Sequence, residues 1–180
     1  MKDSIKIKGK EFIPYLSSTS IQERIGKIAD VINAEYADKD PLFIGVLNGA
    51  FMFASDLLQK VTCSCQITFV KMASYQGTTS TGTVKELLGL RESIEGKHVI
   101  ILEDIVDTGL TMSKAIEDLS KQNPASLEIA TLLFKPESIT EKLDLKFVGF
   151  EIPNKFVLGY GLDYDGYGRN LQDIYQLKKD

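Results

Sequence analysis

Three acidic side chains follow an apolar run in the segment VIILEDIVDTGLTM, residues 99–112. The acids and the small polar residues after them are Glu103, Asp104, Asp107, Thr108, Gly109 and Thr111. A helix is expected to begin at the small polar residues. A helix N-terminus binds phosphate through its free backbone N–H groups and partial positive charge. Gly109 lets the backbone approach a phosphate closely, and the two threonine hydroxyls add donors. This part of the segment is therefore predicted to bind an anion.

Carboxylates beside a phosphate site need a physical reason, because two acids at the end of a buried strand repel each other and are costly to desolvate. Glu103 and Asp104 are reasonable there if they accept hydrogen bonds from the vicinal hydroxyls of a sugar, with a divalent cation nearby to offset their charge. A ribose 5-phosphate fits this arrangement. The alternative is that residues 107–109 only cap a helix and that the other two acids are solvated. The length and order of the pattern favour the sugar-phosphate interpretation.

The elements around this segment alternate between strand and helix patterns, which indicates an α/β fold with a parallel sheet. Strands are predicted at residues 42–47, 65–75, 84–90, 98–104, 127–134, 146–152 and 155–164. Ligands of such sheets bind beyond the carboxyl ends of the strands, where the acidic segment lies. One domain is expected, with a core at about 17–150, helices on both faces of the sheet, and a small hood lobe from about 1–16 and 151–180.

Four helices are predicted between these strands. The first follows a capping-box pattern, SIQE at residues 20–23, and ends near residues 37–40 before Pro41. Its isoleucines at 21, 25, 28 and 32 recur on one helical face. The other helices are predicted at residues 50–60, 110–122 and 136–143.

The composition excludes some classes of function. The chain has 21 Lys plus Arg and 25 Asp plus Glu, a net charge of −4, which argues against a nucleic-acid or membrane-surface binder. No apolar run approaches the roughly 20 residues that span a bilayer, and no signal peptide is visible. Cys63 and Cys65 are too close in sequence for a structural disulfide and are expected to be reduced, as in the cytoplasm.

Residues 99–112 resemble the 5-phosphoribosyl 1-pyrophosphate (PRPP) signature of the type I phosphoribosyltransferases. The resemblance covers most of the chain and is closest to the hypoxanthine-guanine members of that family. LNGA at residues 47–50 is similar to their pyrophosphate loop, and Ser74-Tyr75 heads a Gly- and Thr-rich stretch that matches their mobile catalytic loop. Lys135 in LLFKP stands where they have a base-reading lysine, and residues 147–171 follow their C-terminal block.

The resemblance implies a purine salvage transferase, cytoplasmic and either a homodimer or a homotetramer. It would convert hypoxanthine or guanine and PRPP, with Mg²⁺, to IMP or GMP and pyrophosphate. The sequence itself does not determine the oligomer, and an apolar surface on the second helix (Phe51, Met52 and Phe53) is one candidate contact.

The same resemblance implies a role for each matched residue. Asp107 would act as the base near N7 of the purine, and Ser74 and Tyr75 would close over the reaction. Lys135, Phe156 and Val157 would recognise the purine through its O6, its face and its edge respectively. The sugar, phosphate and metal groups would be held by Glu103, Asp104, Thr108, Gly109, Thr111 and Asp163, and the pyrophosphate by Asn48, Gly49 and Arg169. From sequence alone, Lys135 could instead be a solvated strand end, Phe156 a core residue and Arg169 a surface residue.

One residue departs from the family pattern, because Asn48 stands where many relatives carry a basic side chain. Pyrophosphate is then expected to rely more on backbone N–H groups, magnesium and Arg169. The family often has a non-proline cis peptide at this turn, which would be Leu47-Asn48.

Two other functions are alternatives to purine salvage. A non-catalytic sensor of PRPP or nucleotide would usually carry an added winged-helix domain or a basic face, and the chain shows neither. An enzyme acting on xanthine or a pyrimidine is the second, and Lys135 with the Phe156-Val157 pair favours a purine. The choice among hypoxanthine, guanine and xanthine depends on backbone carbonyls that the sequence does not place.

Overall fold

The computed structural model describes residues 3–73, 85–88 and 90–178. The strands of these residues are β1 (Ile5–Ile7), β2 (Lys10–Leu16), β3 (Leu42–Leu47), β4 (Gln66–Ala73), β5 (Lys85–Leu88), β6 (His98–Val106), β7 (Ser126–Phe134), β8 (Phe147–Glu151), β9 (Val157–Leu158) and β10 (Ile174–Leu177). The helices are α1 (Ser18–Glu35), α2 (Phe51–Leu58) and α3 (Leu110–Ser120). No helix in these ranges is long and apolar enough to cross a membrane.

The main sheet has six strands in the order β5-β4-β3-β6-β7-β8. All neighbouring strands pair in parallel except β5, which pairs antiparallel with β4. The predicted α/β fold with a parallel sheet is thus confirmed. Because parallel strands end at the same edge, the loop after β3 and the loop after β6 meet there, and these loops carry Asn48 and Asp107.

The helices cover both faces of this sheet, as predicted. Alternate residues of a strand point to opposite faces, so Phe43 packs into the cluster of α1 and α2 while its neighbour Ile44 packs with α3. Phe53 of α2 is fully buried in the first cluster. The suggested oligomer contact through Phe51, Met52 and Phe53 is therefore wrong for Phe53, although 41% of Phe51 is exposed.

Helix α1 begins earlier than the sequence pattern predicts. The Oγ of Ser17 accepts a hydrogen bond from the N–H of Ser20 at 3.1 Å, and Ser17 has extended backbone, so Ser17 is the N-cap. The predicted capping box at residues 20–23 is wrong, because those residues already lie within the helix. The four isoleucines of its buried face are confirmed. The helix ends at Glu35, where Tyr36 closes the last turn by donating to the carbonyl of Ile32.

A second, antiparallel sheet has the order β1-β2-β10-β9 and combines an N-terminal with a C-terminal segment of the chain. Strand β10 lies between β2 and β9 and pairs with both. Phe12, Leu158 and Tyr175 form the small core of this sheet. The predicted hood lobe is confirmed as part of the fold, and its boundaries near residues 16 and 151 stay a prediction.

Two predicted elements are wrong. Residues 136–143 form a turn at 136–138 followed by irregular backbone and not a helix, because Ile139 and Leu143 of this segment pack against Gly109 at the start of α3. These tertiary contacts override the local helix propensity. The strand predicted at residues 155–164 is limited to β9, because Gly159, Tyr160 and Gly161 have φ values of 101°, 50° and 95° and turn the chain away from the sheet.

Candidate active site

A cavity of about 320 Å³ opens at the carboxyl ends of β3 and β6. The predicted site residues that line it are Asn48, Gly49, Glu103, Asp104, Asp107, Thr108, Gly109, Thr111, Asp163 and Arg169. The lining also includes Leu47 of the predicted pyrophosphate loop and four residues that the sequence did not single out, namely Val46, Ile105, Val106 and Met112. Those are apolar positions between or beside the polar ones, and the only sequence signal for them was this adjacency.

The acids at the end of β6 are held in an unusual environment. Burial raises the pKa of Glu103 well above its ordinary value, and the neighbouring charge of Asp104 raises it further. Its Oε2 atom is buried and has no hydrogen-bond partner within the described part of the chain. Asp104 accepts a hydrogen bond at 2.9 Å from the N–H of Ile105. A buried carboxyl oxygen without a protein partner requires an explanation, and a water, an ion or a ligand can supply the missing partner.

The loop after β3 lies in direct contact with Asp104. Leu47-Asn48 is a cis peptide bond, as the family resemblance implied. A Cβ atom added to Gly49 would lie 1.6 Å from Oδ2 of Asp104, so only glycine fits at this position. On its other side, the carbonyl oxygen of Gly49 would lie 2.1 Å from a Cβ atom on Gly161. The loop is therefore confined between β6 and the turn that contains Gly161.

The loop after β6 ends in the N-terminus of α3. Gly109 is the N-cap in the left-handed region, with φ of 84° and no side-chain cap hydrogen bond. The hydroxyl of Thr108 accepts a long bond of 3.5 Å from the N–H of Leu110. Thr140 supports the loop from behind, because its N–H and its Oγ1 donate to the carbonyl of Thr108 at 2.9 and 3.1 Å. The first turn of α3 thus begins without a side-chain cap, and free N–H groups at a helix N-terminus can bind an anion.

Lys135 and Asp107 form an ion pair, with 2.7 Å between Nζ and Oδ2. The lysine side chain is 8% exposed and that of the aspartate 46%. Lys135 is fixed further by its own N–H, which donates to the carbonyl of Val106 at 3.0 Å. The alternative of a solvated strand end is therefore wrong for Lys135. The pair places an ammonium group directly beside the acid that borders the cavity.

Arg169 and Asp163 form the second ion pair of the site, at 2.6 Å between Nη2 and Oδ1. The Nη1 atom of Arg169 also donates to the carbonyl of Gly161 at 2.7 Å. Asp163 accepts a further bond from the N–H of Gly166 at 2.7 Å. Both side chains are mostly shielded from solvent, so the alternative of a surface arginine is wrong.

Phe156 and Val157 are not among the residues that line the cavity. Phe156 is 46% exposed and contacts the rings of Phe12 and Tyr164, with ring centroids 6.3 and 5.6 Å away, so it is not a core residue. The side chain of Val157 is buried, and its backbone belongs to β9 opposite Gln176. Ser74 and Tyr75 lie outside the described residues.

The comparisons with known proteins agree on one family. Residues 15–165 match the model of the phosphoribosyl transferase domain. The chain is 40% identical over 169 residues to the hypoxanthine-guanine phosphoribosyltransferase of Mycobacterium tuberculosis, covering 90% of this chain and 84% of the relative. It is 37% identical over 175 residues to the enzyme of the same name from Aquifex aeolicus, covering 96% and 98%. The crystal structure of a hypoxanthine-guanine phosphoribosyltransferase from Bacillus anthracis matches with a TM-score of 0.88 at 36% identity, covering 92% of this chain and 98% of that one.

Proposed function

The chain belongs to the phosphoribosyltransferase family and is a purine salvage enzyme, and we propose that it transfers the phosphoribosyl group of PRPP to hypoxanthine or guanine at the cavity beside β6. The buried, unpartnered Oε2 of Glu103, in the cavity that the N-terminus of α3 also lines, carries this proposal. A sugar diol supplies the donor that Glu103 lacks, and its 5-phosphate is assigned to the N-terminus of α3.

The phosphate end of the substrate is assigned to the first turn of α3. The backbone N–H groups of that turn and the hydroxyls of Thr108 and Thr111 donate to the phosphate oxygens. Gly109 permits the left-handed backbone that begins this helix, and the absence of a Cβ makes room for Ile139 and Leu143 behind the turn. Glu103 and Asp104 accept from the two ribose hydroxyls.

Magnesium is assigned to two places, a first ion at Glu103 and Asp104 and a second at Asp163, each completed by the substrate. No group of three or more His, Cys, Asp or Glu in the described ranges could hold a metal ion by itself. That fits Mg²⁺, which is usually held by one or two carboxylates plus phosphate oxygens and water. When bound, the ion neutralises charge on the leaving pyrophosphate. Arg169 and the backbone around Asn48 and Gly49 are assigned to the same pyrophosphate.

Recognition of the purine is assigned to the Lys135–Asp107 pair. In the reaction the bond between C1′ and the pyrophosphate oxygen breaks, the bond from C1′ to N9 forms, and the proton on N7 passes to the carboxylate of Asp107. An ammonium group has three donors, so Lys135 can keep its contact with Asp107 while a second N–H donates to O6. Adenine presents a donor where O6 would be, and the two donors repel each other, so a 6-oxopurine is preferred.

The family resemblance supplies the other proposed roles. Phe156 has a large exposed ring and is assigned to stacking on the base, with the backbone of Val157 at the base edge. Ser74 and Tyr75 are assigned to closure over the reacting atoms. A homodimer or homotetramer in the cytoplasm is proposed on the same ground, and sedimentation velocity measures the assembly directly.

The proposed reaction is tested by incubating the protein with Mg²⁺, PRPP and one base at a time, and separating the nucleotides by chromatography. IMP or GMP is expected with hypoxanthine or guanine, little product with adenine, and none when EDTA replaces Mg²⁺. The xanthine reaction decides how narrow the specificity is. Saturable nucleotide binding without turnover of any 6-oxopurine would contradict the proposal and favour a sensor.

A further inference from the structure

A polar cluster behind the cavity joins α1, α2 and the turn after β9. The carboxylate of Asp56 accepts a hydrogen bond at 2.5 Å from the hydroxyl of Tyr160 and another from the side-chain amide of Gln22. Tyr160 is 2% exposed, and burial raises the pKa of its hydroxyl, with Asp56 adding to the shift. None of these three residues lines the cavity, and none has a role in the transfer reaction proposed above.

Both partners of this hydrogen bond are close in sequence to groups assigned to pyrophosphate. Helix α2 begins at Phe51, directly after the loop at residues 47–50, and Asp56 lies in its second turn. Tyr160 immediately precedes Gly161, whose Cα approaches the carbonyl oxygen of Gly49 so closely that an added Cβ would lie 2.1 Å from it. The hydrogen bond between Tyr160 and Asp56 therefore connects α2, which follows the loop at 47–50, to the turn that packs against this loop.

The same turn also holds Arg169. The N–H of Gly161 donates to the carbonyl of Arg169 at 3.0 Å, and Nη1 of Arg169 donates back to the carbonyl of Gly161 at 2.7 Å. A shift of the turn would move the Gly49 loop and the guanidinium group together. By contrast, the phosphate-binding turn of α3 is supported by Thr140 and by Ile139 and Leu143, which belong to another segment.

The backbone of the turn needs an external contact to keep its shape. Tyr160 has φ of 50° between two glycines that also have positive φ. A non-glycine residue persists in this region when the surrounding structure holds it there. The N–H of Tyr160 donates to the carbonyl of Leu171 at 2.8 Å, and the hydroxyl bond to Asp56 is its second polar anchor.

We propose that Tyr160 and Asp56 are positioning residues, whose hydrogen bond fixes the turn at residues 159–163 against the loop at 47–50 and so shapes the pyrophosphate half of the site. This inference rests on the proposed function. It states that breaking the bond weakens pyrophosphate binding and leaves ribose 5-phosphate binding intact, because the two groups are held by different segments.

The first experiment compares wild-type protein with Tyr160→Phe, which keeps the ring and removes the hydroxyl. Titration calorimetry measures Kd for pyrophosphate with Mg²⁺ and, separately, Kd for ribose 5-phosphate. We expect the pyrophosphate Kd to rise about three- to ten-fold, the range of one lost hydrogen bond, and the ribose 5-phosphate Kd to stay within about two-fold. In the forward reaction KM for PRPP rises and KM for the purine does not.

Matched variants separate positioning from general destabilisation. Tyr175→Phe removes the hydroxyl of another tyrosine that is 2% exposed, in the core of the second sheet, and is expected to bind both ligands like wild type. Asp56→Ala is expected to reproduce the effect of Tyr160→Phe, and the double variant to add little to either. Asp56→Asn keeps an oxygen that accepts from the tyrosine and is expected to restore most of the pyrophosphate affinity.

Two outcomes overturn the inference and differ from a failure of the proposed function. Unchanged pyrophosphate affinity in a folded Tyr160→Phe protein would remove the positioning role. Equal weakening of both ligands, together with a lower Tm, would reduce the bond to general stability. Wild-type protein that binds neither ligand and makes no nucleotide would instead remove the proposed function itself, and this inference with it.

Discussion

The carboxylate of Asp107 borders the cavity on one side and contacts the Lys135 ammonium on the other. The ammonium offsets the negative charge of the acid and restricts its position, since the lysine is buried and its backbone is bonded to Val106. Nearly half of the aspartate side chain remains accessible. An acid held in this way has a fixed position and an accessible face, as the proposed role of a base requires.

Replacing Asp107 by Asn is the first prediction at this scale. Asparagine keeps the size of the side chain and cannot accept the N7 proton, so kcat is expected to fall by about 10²- to 10⁴-fold, the usual contribution of a general base. The Kd of PRPP, measured by titration calorimetry, should change little, because the acid is not assigned to the sugar or the pyrophosphate. Asp144→Asn, at an exposed position, is the control. A variant that keeps most of its turnover would exclude Asp107 as the base.

Individual site residues were predictable where one short segment carries them. Residues 103–111 form a strand end followed by a helix start, and local spacing is enough to place them together. The Lys135–Asp107 and Arg169–Asp163 pairs were not predictable from spacing, because their geometry depends on how separate segments meet. Tyr160 was not predicted, since a tyrosine between two glycines is indistinguishable from an ordinary packing residue until its partner on α2 is known.

Elements with a strong periodic pattern were predicted well. Strand β3 occupies the residues that the run LFIGVL predicted, because five consecutive buried residues leave no other location than a sheet covered on both faces. The segment at 136–143 was mispredicted, because its apolar spacing suits a helix while its contacts are with Gly109. Its contacts place it behind the first turn of α3, which is assigned to the 5-phosphate.

Thr140 provides the prediction at the scale of elements. Thr140→Val keeps the shape of the side chain and removes the Oγ1 donor to the carbonyl of Thr108. The Kd of ribose 5-phosphate is expected to rise about two- to five-fold, because a backbone hydrogen bond remains and only the exposed one is lost. Titration calorimetry measures this Kd, and the Kd of Mg²⁺-pyrophosphate, measured in the same way, should be unchanged. Thr140→Ser retains the hydroxyl, and a serine variant as weak as the valine variant would contradict this explanation.

For the whole molecule, the buried acid at residue 103 links ligand binding to stability. Its folded-state pKa lies well above the ordinary value of 4.5, chiefly because of burial. A group with a raised pKa binds its proton more tightly in the folded state than in the unfolded state. Its contribution to stability is therefore full below about pH 4.5 and is lost as pH rises toward and through the folded-state pKa. The unliganded protein is destabilised at neutral pH by the residue assigned to the sugar.

Glu103→Gln tests this link between site and stability. The neutral amide has no charge to desolvate, so Tm of the unliganded variant is expected to exceed that of wild type by a few degrees at pH 8, where about 1 kcal/mol corresponds to about 2–4 °C for a chain of this size. The difference should shrink toward pH 5. Scanning fluorimetry across pH measures both, and the exposed Glu92→Gln is the control. A difference in Tm that does not depend on pH would contradict the assignment.

The position of β10 between β2 and β9 has a consequence for shortened forms of the protein. A polypeptide cut before Ile174 would keep every acid, lysine and arginine discussed above, and yet would lack the strand that joins the two halves of the second sheet. Proteolytic removal of the residues from Ile174 onward is thus expected to abolish turnover without deleting any group that is assigned to the substrate. An intact set of motifs in a fragment would be no guarantee of turnover.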